Sequence, residues 1–596
     1  MSASAASGPG HEEPALGKAY DARLMRRLAG YVAPHRGIVL ASLGLMLAVS
    51  AAQLVQPYLI KLAIDEHIAK SEPRGLGLLA LLFLAALGGE FGLRFAQLYV
   101  LQRAGQDVVF DVRMDVFAHL QRLSSSFFDR NPVGRLMTRL TTDVEALNEA
   151  FTSGVIVIFA DAVKLLAIVA ILLWMDWRLA LVTFAILPPT LVLTGLFRTR
   201  MREAYRAMRT WIARVNAFLQ ENLSGMRVVQ LFSRERLAAA QFREINEAHR
   251  DAQLSGVRYE SLFSTLAEWI GSITLAAIVW GGGWGILEGL LTFGTLVAFI
   301  DYAGKFFGPV QELSQRYTVM QSAMAAAERI FGLLDTQVGI EPPAVPRRPA
   351  GRAAGEIVFD RVSFGYTEGQ PVLRDVSFRI RPGERVAIVG WTGSGKSTLI
   401  RLLVRLYDVW DGRILVDGID VREYDPRDLR RRVGIVLQDN FLFVGSVESN
   451  ISLGDPAVSA EQVRRAARTV RAERFIERLP AGYAEPVRER GSNFSVGQKQ
   501  LLSFARAIAF DPAVLVLDEA TASVDAETEH DIREALVRLL AGRTSIVIAH
   551  RLATVRDADR VLVLHHGRLL EQGTHEELLR LPDGIYRTLY SLQAAF

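Results

Sequence analysis

The chain has 596 residues, of which 50% are hydrophobic, a mean hydropathy of +0.20 and a formal net charge of +4. This length exceeds that of a single domain, and the composition is too apolar for an ordinary soluble enzyme, so part of the chain should lie in lipid. The small net charge does not favour a nucleic-acid partner, and the absence of cysteine excludes disulfides, thiol catalysis and cysteine metal sites.

The N-terminal region divides into two short segments. Residues 1–20 are small and polar and have no apolar core, which predicts a disordered cytoplasmic tail rather than a secretory signal. The segment that follows is amphipathic and carries Arg23, Arg26, Arg27 and Arg36. This pattern predicts a short helix along the inner surface of the membrane.

Six apolar runs in the first half approach the length of about 20 residues that a helix needs to cross a bilayer. The first run has no charged residue, whereas a core helix of a soluble protein would carry a polar stripe. We therefore predict an all-α transmembrane domain of six helices within residues 21–335. The runs are 38–60, 76–96, 155–175, 179–197, 262–286 and 290–307.

Two long connections between these runs are basic. Residues 98–153 contain six Arg and residues 198–258 contain twelve. Because positive loops stay in the cytoplasm, we place both connections, both termini and the second half of the chain inside. Each connection is long enough to form a cytoplasmic helical extension, with its tip expected at 124–136 in the first and at 221–225 in the second.

Several ionisable residues lie within the predicted spans, where such groups are candidates for function. Three pairs spaced three or four residues apart could neutralise one another on one helix face: Glu90 with Arg94, Asp161 with Lys164, and Asp301 with Lys305. Glu268 has no basic residue within a turn and stands beside Trp269. We interpret Glu268 as a negative spot in a substrate cavity for amphipathic or cationic molecules, the alternative being a hydrated carboxylate.

A Pro- and Ala-rich linker at 336–355 precedes a soluble α/β domain at 356–596. Its strand pattern ERVAIVG runs into Gly390, and residues 390–397 match the P-loop motif. In this motif the backbone wraps the phosphates of ATP, Lys396 reaches the β- and γ-phosphates, and the Ser397 hydroxyl ligates Mg²⁺. The predicted ATP-binding residues of the loop are Gly390, Trp391, Thr392, Gly393, Ser394, Gly395, Lys396, Ser397 and Thr398.

A second apolar strand, 513–517, ends in the carboxylates Asp518 and Glu519. We predict that Asp518 holds Mg²⁺ and that Glu519 polarises the attacking water.

Through these motifs the second half resembles the ATPase domain of the ATP-binding cassette (ABC) family, and the whole chain is similar to its exporter-type half-transporters. Further motifs carry the resemblance: the signature at 494–498, a glutamine loop with Gln438, a loop that ends at Asp525, and a switch histidine at His550. The resemblance implies that Tyr366 stacks on adenine, that Gln438 joins the metal site, and that His550 acts beside Glu519 and Lys396 in catalysis.

The resemblance also implies a dimer in which each signature segment contacts the ATP of the partner. The residues with this role would be Ser495, Val496, Gly497, Gln498 and Asp525. Two residues depart from the family's usual pattern, because Val496 stands where Gly is usual and Arg488 interrupts a stretch that usually has Gly. We therefore expect a heterodimer rather than a homodimer, with a partner that could lack the equivalent of Glu519.

The fold predicted is thus an all-α membrane domain joined to an α/β P-loop ATPase, and the function is ATP-driven export of hydrophobic or amphipathic drugs or lipids across the cytoplasmic (inner) membrane. The expected cofactors are ATP and Mg²⁺, and the expected partners are a second half-transporter, the bilayer and a small amphipathic substrate. Export of peptides or lipid precursors stays open, as does an ATP-gated channel or sensor that pumps nothing.

Overall fold

The computed structural model describes residues 21–349, 353–518, 526–548 and 555–594. The described residues form two compact units. The first comprises those of Met1–Ala118 and Met137–Asp335, and the second those of His119–Leu136 and Thr336–Phe596. The segment His119–Leu136 was expected in the membrane half, but it folds with the C-terminal unit.

The first unit is helical throughout its described residues. Side-chain caps begin several helices. Asp21, Asp176 and Thr292 each accept a hydrogen bond from a backbone N–H in the first turn of the helix that follows. Short π-helical stretches cover Ala63–Ile68, Arg139–Asp143 and Phe151–Val155. The α-helices of this unit are α1 Ala22–Val32, α2 Arg36–Leu62, α3 Leu76–Leu120, α6 Val144–Ala150, α7 Ile156–Met175, α8 Trp177–Phe184, α9 Leu187–Ser224, α10 Met226–Leu231, α11 Glu235–Leu287 and α12 Phe293–Leu334, while α4 Ser125–Arg130 and most of α5 Val133–Thr138 belong to the second unit.

Each predicted apolar run lies mostly in helix. Among the described residues, five helical segments are long and apolar enough to cross a membrane, and they cover the first five runs except for Val155. The fourth run is divided between α8 and α9, which begins at a Leu-Pro-Pro sequence. The sixth run lies at the start of α12, where Asp301 and Lys305 interrupt the apolar stretch.

The surface of the first unit is suited to lipid. Large apolar side chains point outward along the spans, as Phe91, Leu166 and Trp280 do, with exposed fractions of 70–79%. A soluble unit would bury many such residues, whereas lipid tails solvate them without cost.

Several charged residues of the spans have polar partners, either on the same helix or on a neighbouring one. Asp301 and Lys305 form the predicted pair, with 3.1 Å between Oδ2 and Nζ. Glu90 of α3 interacts electrostatically with Arg94, as predicted, and it also accepts hydrogen bonds from the Gln53 and Gln56 side chains of α2.

The third predicted pair also has partners on other helices. Asp161 of α7 pairs with Arg316 of α12 at 3.1 Å. Lys164 donates to Gln53 Oε1 at 2.7 Å.

The second unit contains two main sheets. One is antiparallel, in the order β2-β1-β4-β5; the other has the order β12-β11-β3-β10-β9-β6, with β12 antiparallel and the other five strands parallel. The strands are β1 Ile357–Phe364, β2 Leu373–Ile380, β3 Arg385–Val389, β4 Asp411–Val416, β5 Ile419–Asp420, β6 Val433–Val436, β7 Gly445–Ser446, β8 Pro486–Val487, β9 Val514–Asp518, β10 Thr544–Ile548, β11 Arg560–His565 and β12 Arg568–Gly573.

Helices cover these sheets and define two main hydrophobic cores. The first core lies between the two sheets and includes α13. The second packs α15, α16 and α18 against β9. The helices are α13 Lys396–Leu403, α14 Pro426–Arg432, α15 Val447–Ser452, α16 Ala460–Thr469, α17 Glu473–Ile476, α18 Val496–Ala509, α19 Ala526–Leu540, and two further helices at His575–Arg580 and Ile585–Ala594.

Part of the predicted linker is attached to the ATPase fold. Arg347 pairs with Glu423 at 3.0 Å, and Arg348 pairs with Asp428 at 2.8 Å.

Candidate nucleotide site

The loop between β3 and α13 has a backbone that only glycine can form at two positions. Gly390 has φ 154°, and a Cβ there would lie 2.2 Å from the carbonyl oxygen of Leu564. Gly395 has φ 102°, and its Cβ would lie 2.6 Å from Leu373 Cδ2. The P-loop therefore packs directly against Leu564 and Leu373 of the same chain. This close packing fixes the conformation of its backbone, including the orientation of its amides.

The polar groups of this loop suit a phosphate ligand. Lys396 is buried, and its Nζ donates to the carbonyls of Gly390 at 2.8 Å and Trp391 at 3.0 Å. Among the described residues, the buried Ser394 hydroxyl has no hydrogen-bond partner. Thr392, Gly393 and Ser397 are exposed. A buried cation, an unsatisfied hydroxyl and the start of a helix are the groups that anion sites in proteins commonly use.

An aromatic cluster stands beside this loop. The ring of Tyr366 packs edge-on against Phe364 and Tyr407, with centroid distances of 5.2 Å in each case. Its hydroxyl lies 3.1 Å from Thr398 Oγ1, and Arg401 donates to the same hydroxyl at 3.3 Å. Tyr366 is 43% exposed, so ring surface is left for a ligand to cover.

The carboxyl ends of the parallel strands bring further predicted residues to one sheet edge. The pairing of Val436 with Leu517 places the loop containing Gln438 beside the end of β9, where Asp518 stands. Ile548 of β10 pairs with both Ile388 and Asp518, so this edge also carries the P-loop. The predicted residues Glu519, Asp525 and His550 lie outside the described residues.

The signature segment begins α18 and belongs to the second core. Ser495 and Gln498 form a capping box, in which Ser495 Oγ accepts from the Gln498 amide at 3.2 Å and Gln498 Oε1 accepts from the Ser495 amide at 3.0 Å. Val496 is 55% exposed and Gly497 is buried. Within the described part of the chain, Ser495 and Gln498 bond to each other and not to the P-loop.

Sequence reasoning missed Arg506, which connects the signature helix to the loop after Gln438. Its guanidinium donates to the carbonyls of Asn450 at 2.8 Å and Phe441 at 3.0 Å. Burial lowers the pKa of Arg506 below its ordinary value. A lone arginine among the apolar residues of α18 was the available signal, but its acceptors are distant in sequence.

Sequence reasoning also missed the environment of Tyr407. The Tyr407 hydroxyl donates to Asp129, which lies in α4. Burial, and then the bond to Asp129, raise the pKa of Tyr407 to about 12.

Comparisons with known proteins show which family the chain belongs to. A family model for the ABC transporter transmembrane region matches residues 39–310, and one described as ABC transporter matches residues 373–522. The chain is 38% identical over 525 residues to a probable multidrug resistance ABC transporter ATP-binding/permease protein of Bacillus subtilis, covering 88% of this chain and 77% of that protein. It is 34% identical over 572 residues to an ATP-dependent lipid A-core flippase of Desulfotalea psychrophila, covering 96% of this chain and 99% of that protein.

A solved structure with a similar fold is that of a bacterial Atm1-family ABC exporter with ATP bound. The TM-score is 0.76 at 31% identity, over 94% of this chain and 99% of that chain. The chain is therefore a multi-pass membrane protein in which a nucleotide-binding ATPase domain drives transport. It belongs to the ABC transporter family, and within that family it is an exporter with one membrane region and one ATPase domain.

Proposed function

We propose that this chain exports hydrophobic or amphipathic molecules, drugs or lipids, across the cytoplasmic membrane by alternating access. The observation that carries this proposal is the combination, on one chain, of long apolar helices with a P-loop whose backbone and polar groups suit a phosphate ligand. The names of two relatives, one for multidrug resistance and one for lipid A-core, support amphipathic substrates.

Each residue at the nucleotide site has a proposed role. Tyr366 stacks on adenine, Lys396 neutralises charge on the β- and γ-phosphates, and residues 390–398 hold the phosphates with their amides. Glu519 polarises the attacking water, and His550 orients the γ-phosphate and this water during hydrolysis.

The proposed metal ligands are Ser397, Gln438 and Asp518. A hydroxyl, an amide carbonyl and a carboxylate are the hard oxygen donors that Mg²⁺ prefers. When bound, Mg²⁺ supplies positive charge that stabilises the developing charge of the leaving phosphates.

We propose that the working unit is a dimer in which Ser495, Val496, Gly497, Gln498 and Asp525 of one chain contact the nucleotide of the other. The amides that open α18 favour an anion, and Ser495 is exposed. This arrangement is supported by the bonds of Ser495 and Gln498, which in the described part of the chain join these two residues to each other and not to the P-loop. The exposed Val496 and Arg488 favour a different partner over a second copy.

The substrate cavity is proposed to include Glu268. This residue is exposed on α11 beside Trp269, which is 69% exposed. A carboxylate next to an aromatic ring can attract a cationic group of an amphipathic molecule. Glu268→Gln should therefore weaken ATPase stimulation by cationic amphipaths, whereas Glu288→Gln, at the end of the same helix, should not. Equal stimulation of the wild type and Glu268→Gln would remove Glu268 from the cavity.

The decisive experiment is transport into inside-out vesicles that contain the native complex. ATP with Mg²⁺ should drive uptake of a fluorescent lipid or dye against its gradient, and both EDTA and Lys396→Ala should abolish it. Glu519→Gln distinguishes a pump from a gate, because a gate would still pass substrate down its gradient when ATP binds. ATP-dependent flux that never exceeds equilibrium would refute the export proposal.

A further inference from the structure

Asp129 contacts two residues that surround Tyr366. It lies in α4, within the segment that folds with the ATPase unit, although in sequence this segment joins the second and third spans. Asp129 Oδ2 accepts from the Tyr407 hydroxyl and lies 3.9 Å from Arg401 Nη1.

Arg401 connects Asp129 to the ring that faces the nucleotide. Its Nη1 donates to the Tyr366 hydroxyl at 3.3 Å, and its guanidinium carbon lies 5.7 Å from the centre of the Tyr366 ring. An aromatic ring with a cation near one face and a partner at its hydroxyl has few orientations available. Tyr407 restricts it further by packing edge-on against it, with an angle of 86° between the rings.

We propose that Asp129 is a positioning residue that holds Tyr366 ready to stack on adenine, acting through Arg401. Tyr407 supports the same arrangement, since it contacts both Asp129 and the Tyr366 ring. The proposal rests on the proposed function of Tyr366. Through Asp129, the segment His119–Leu136 thus affects how tightly the site binds the adenine base, and it leaves the binding of the phosphates unchanged.

Two consequences follow from the position of Asp129 in the chain. A displacement of α4 would remove the carboxylate from Arg401 and loosen Tyr366, so ATP would bind more weakly. Because coupling between two sites is reciprocal, ATP bound at Tyr366 would in turn favour the arrangement in which α4 is engaged.

The size of the effect is limited by exposure. Asp129 and Arg401 have side-chain exposures of 50% and 46%, and ion pairs of this kind have small net energies. We therefore expect Asp129→Asn to raise the dissociation constant for ATP about three- to fivefold, and the KM by a similar factor. The kcat should change less than about twofold, because the phosphate contacts are unaltered.

The test uses the full-length chain in lipid nanodiscs and a ribose-labelled fluorescent ATP. The dissociation constant is measured directly, and inorganic tripolyphosphate is used as a competitor that cannot contact Tyr366. Asp129→Asn should weaken the binding of ATP but leave the binding of tripolyphosphate unchanged, and Asp129→Glu should restore the affinity for ATP. Arg401→Gln should reproduce the effect, and the double variant should be no worse than either single one.

Two controls make the outcomes distinct. Asp360→Asn removes a comparable exposed ion pair, the one with Arg413 at 2.9 Å. It should change neither the affinity for ATP nor that for tripolyphosphate. Tyr366→Ala tests the underlying role, because unchanged ATP affinity in this variant would refute the stacking itself. The positioning role of Asp129 is overturned if Tyr366→Ala weakens ATP binding while Asp129→Asn does not. It is also overturned if Asp129→Asn weakens the binding of tripolyphosphate as much as that of ATP.

Discussion

Replacement of Arg506 by Met tests whether α18 holds the loop that follows Gln438. Arg506 donates to the carbonyls of Asn450 and Phe441 and to Asn450 Oδ1. Asn450 is 1% exposed, and its own amide binds the backbone of Phe443 and Ser446. The two side chains thus fix residues 441–446 from one side. Met fills a similar volume but has no donor.

The magnitude follows from which acceptors lose their partner. The carbonyl of Asn450 is buried, and leaving such a group unsatisfied costs about 1–3 kcal/mol. Phe441 is 50% exposed, so its carbonyl can turn to water at little cost. The sum is about 2 kcal/mol, which corresponds to a decrease in melting temperature of roughly 4–8 °C for a domain of this size.

The assay is the temperature at which the purified full-length chain loses half of its binding of labelled ATP, because this reports on the ATPase unit alone. Arg506→Lys keeps one donor group, so its midpoint temperature should lie between those of Arg506→Met and the wild type. Arg465→Met is the matched control, since its pair with Glu461 is highly exposed and contributes little. A midpoint for Arg506→Met within about 1 °C of that control would show that these buried bonds do not hold the loop.

Three further predictions concern single positions. Gly390→Ala should abolish measurable ATP binding, because its Cβ would lie 2.2 Å from a carbonyl oxygen. Gly383→Ala should retain binding, because its Cβ meets no atom within 4 Å and the change costs only the backbone strain of an alanine at φ 76°. Ser495→Ala should lower the ATPase rate far more than Ser459→Ala, although each variant removes a capping box worth about 1 kcal/mol; equal rates would refute a role at the nucleotide. Asp143→Ala should lower the thermal stability of the detergent-purified chain by about 1–3 kcal/mol, because it removes the two bonds from Arg329 at 2.6 and 2.9 Å, and an unchanged size-exclusion profile after heating would contradict this.

The sequence predicted the features that depend on neighbouring residues. The P-loop could be predicted because its glycines, lysine and serine lie within eight consecutive positions, between a buried strand and a helix. The apolar runs predicted the helices for the same reason, and the fold class is confirmed. The capping box of α18 was not predicted, although Ser495 and Gln498 are only three residues apart.

Contacts between distant segments could not be predicted in this way. The spacing of Glu90 and Arg94 predicted their interaction on one helix, but not the hydrogen bond that Glu90 accepts from an amide 37 residues away on α2. Asp129 and Tyr407 are separated by 278 residues, and nothing in the sequence near either one indicates the other. The role assigned to Glu519 stays a prediction from the carboxylates at the end of the strand, and that of His550 stays a prediction from the family resemblance.

The polar contacts within the spans have a physical reason that applies to the whole membrane half. In water, apolar helices associate because burial removes them from the solvent, but lipid tails are as apolar as leucine and give no such force. Gln53 uses both ends of its amide, since it donates to Glu90 of α3 and accepts from Lys164 of α7. It therefore joins α2 to two other helices through polar bonds. The bonds of Gln53 therefore act together with close packing, since a buried apolar cluster joins α7, α8, α11 and α12 in the same unit.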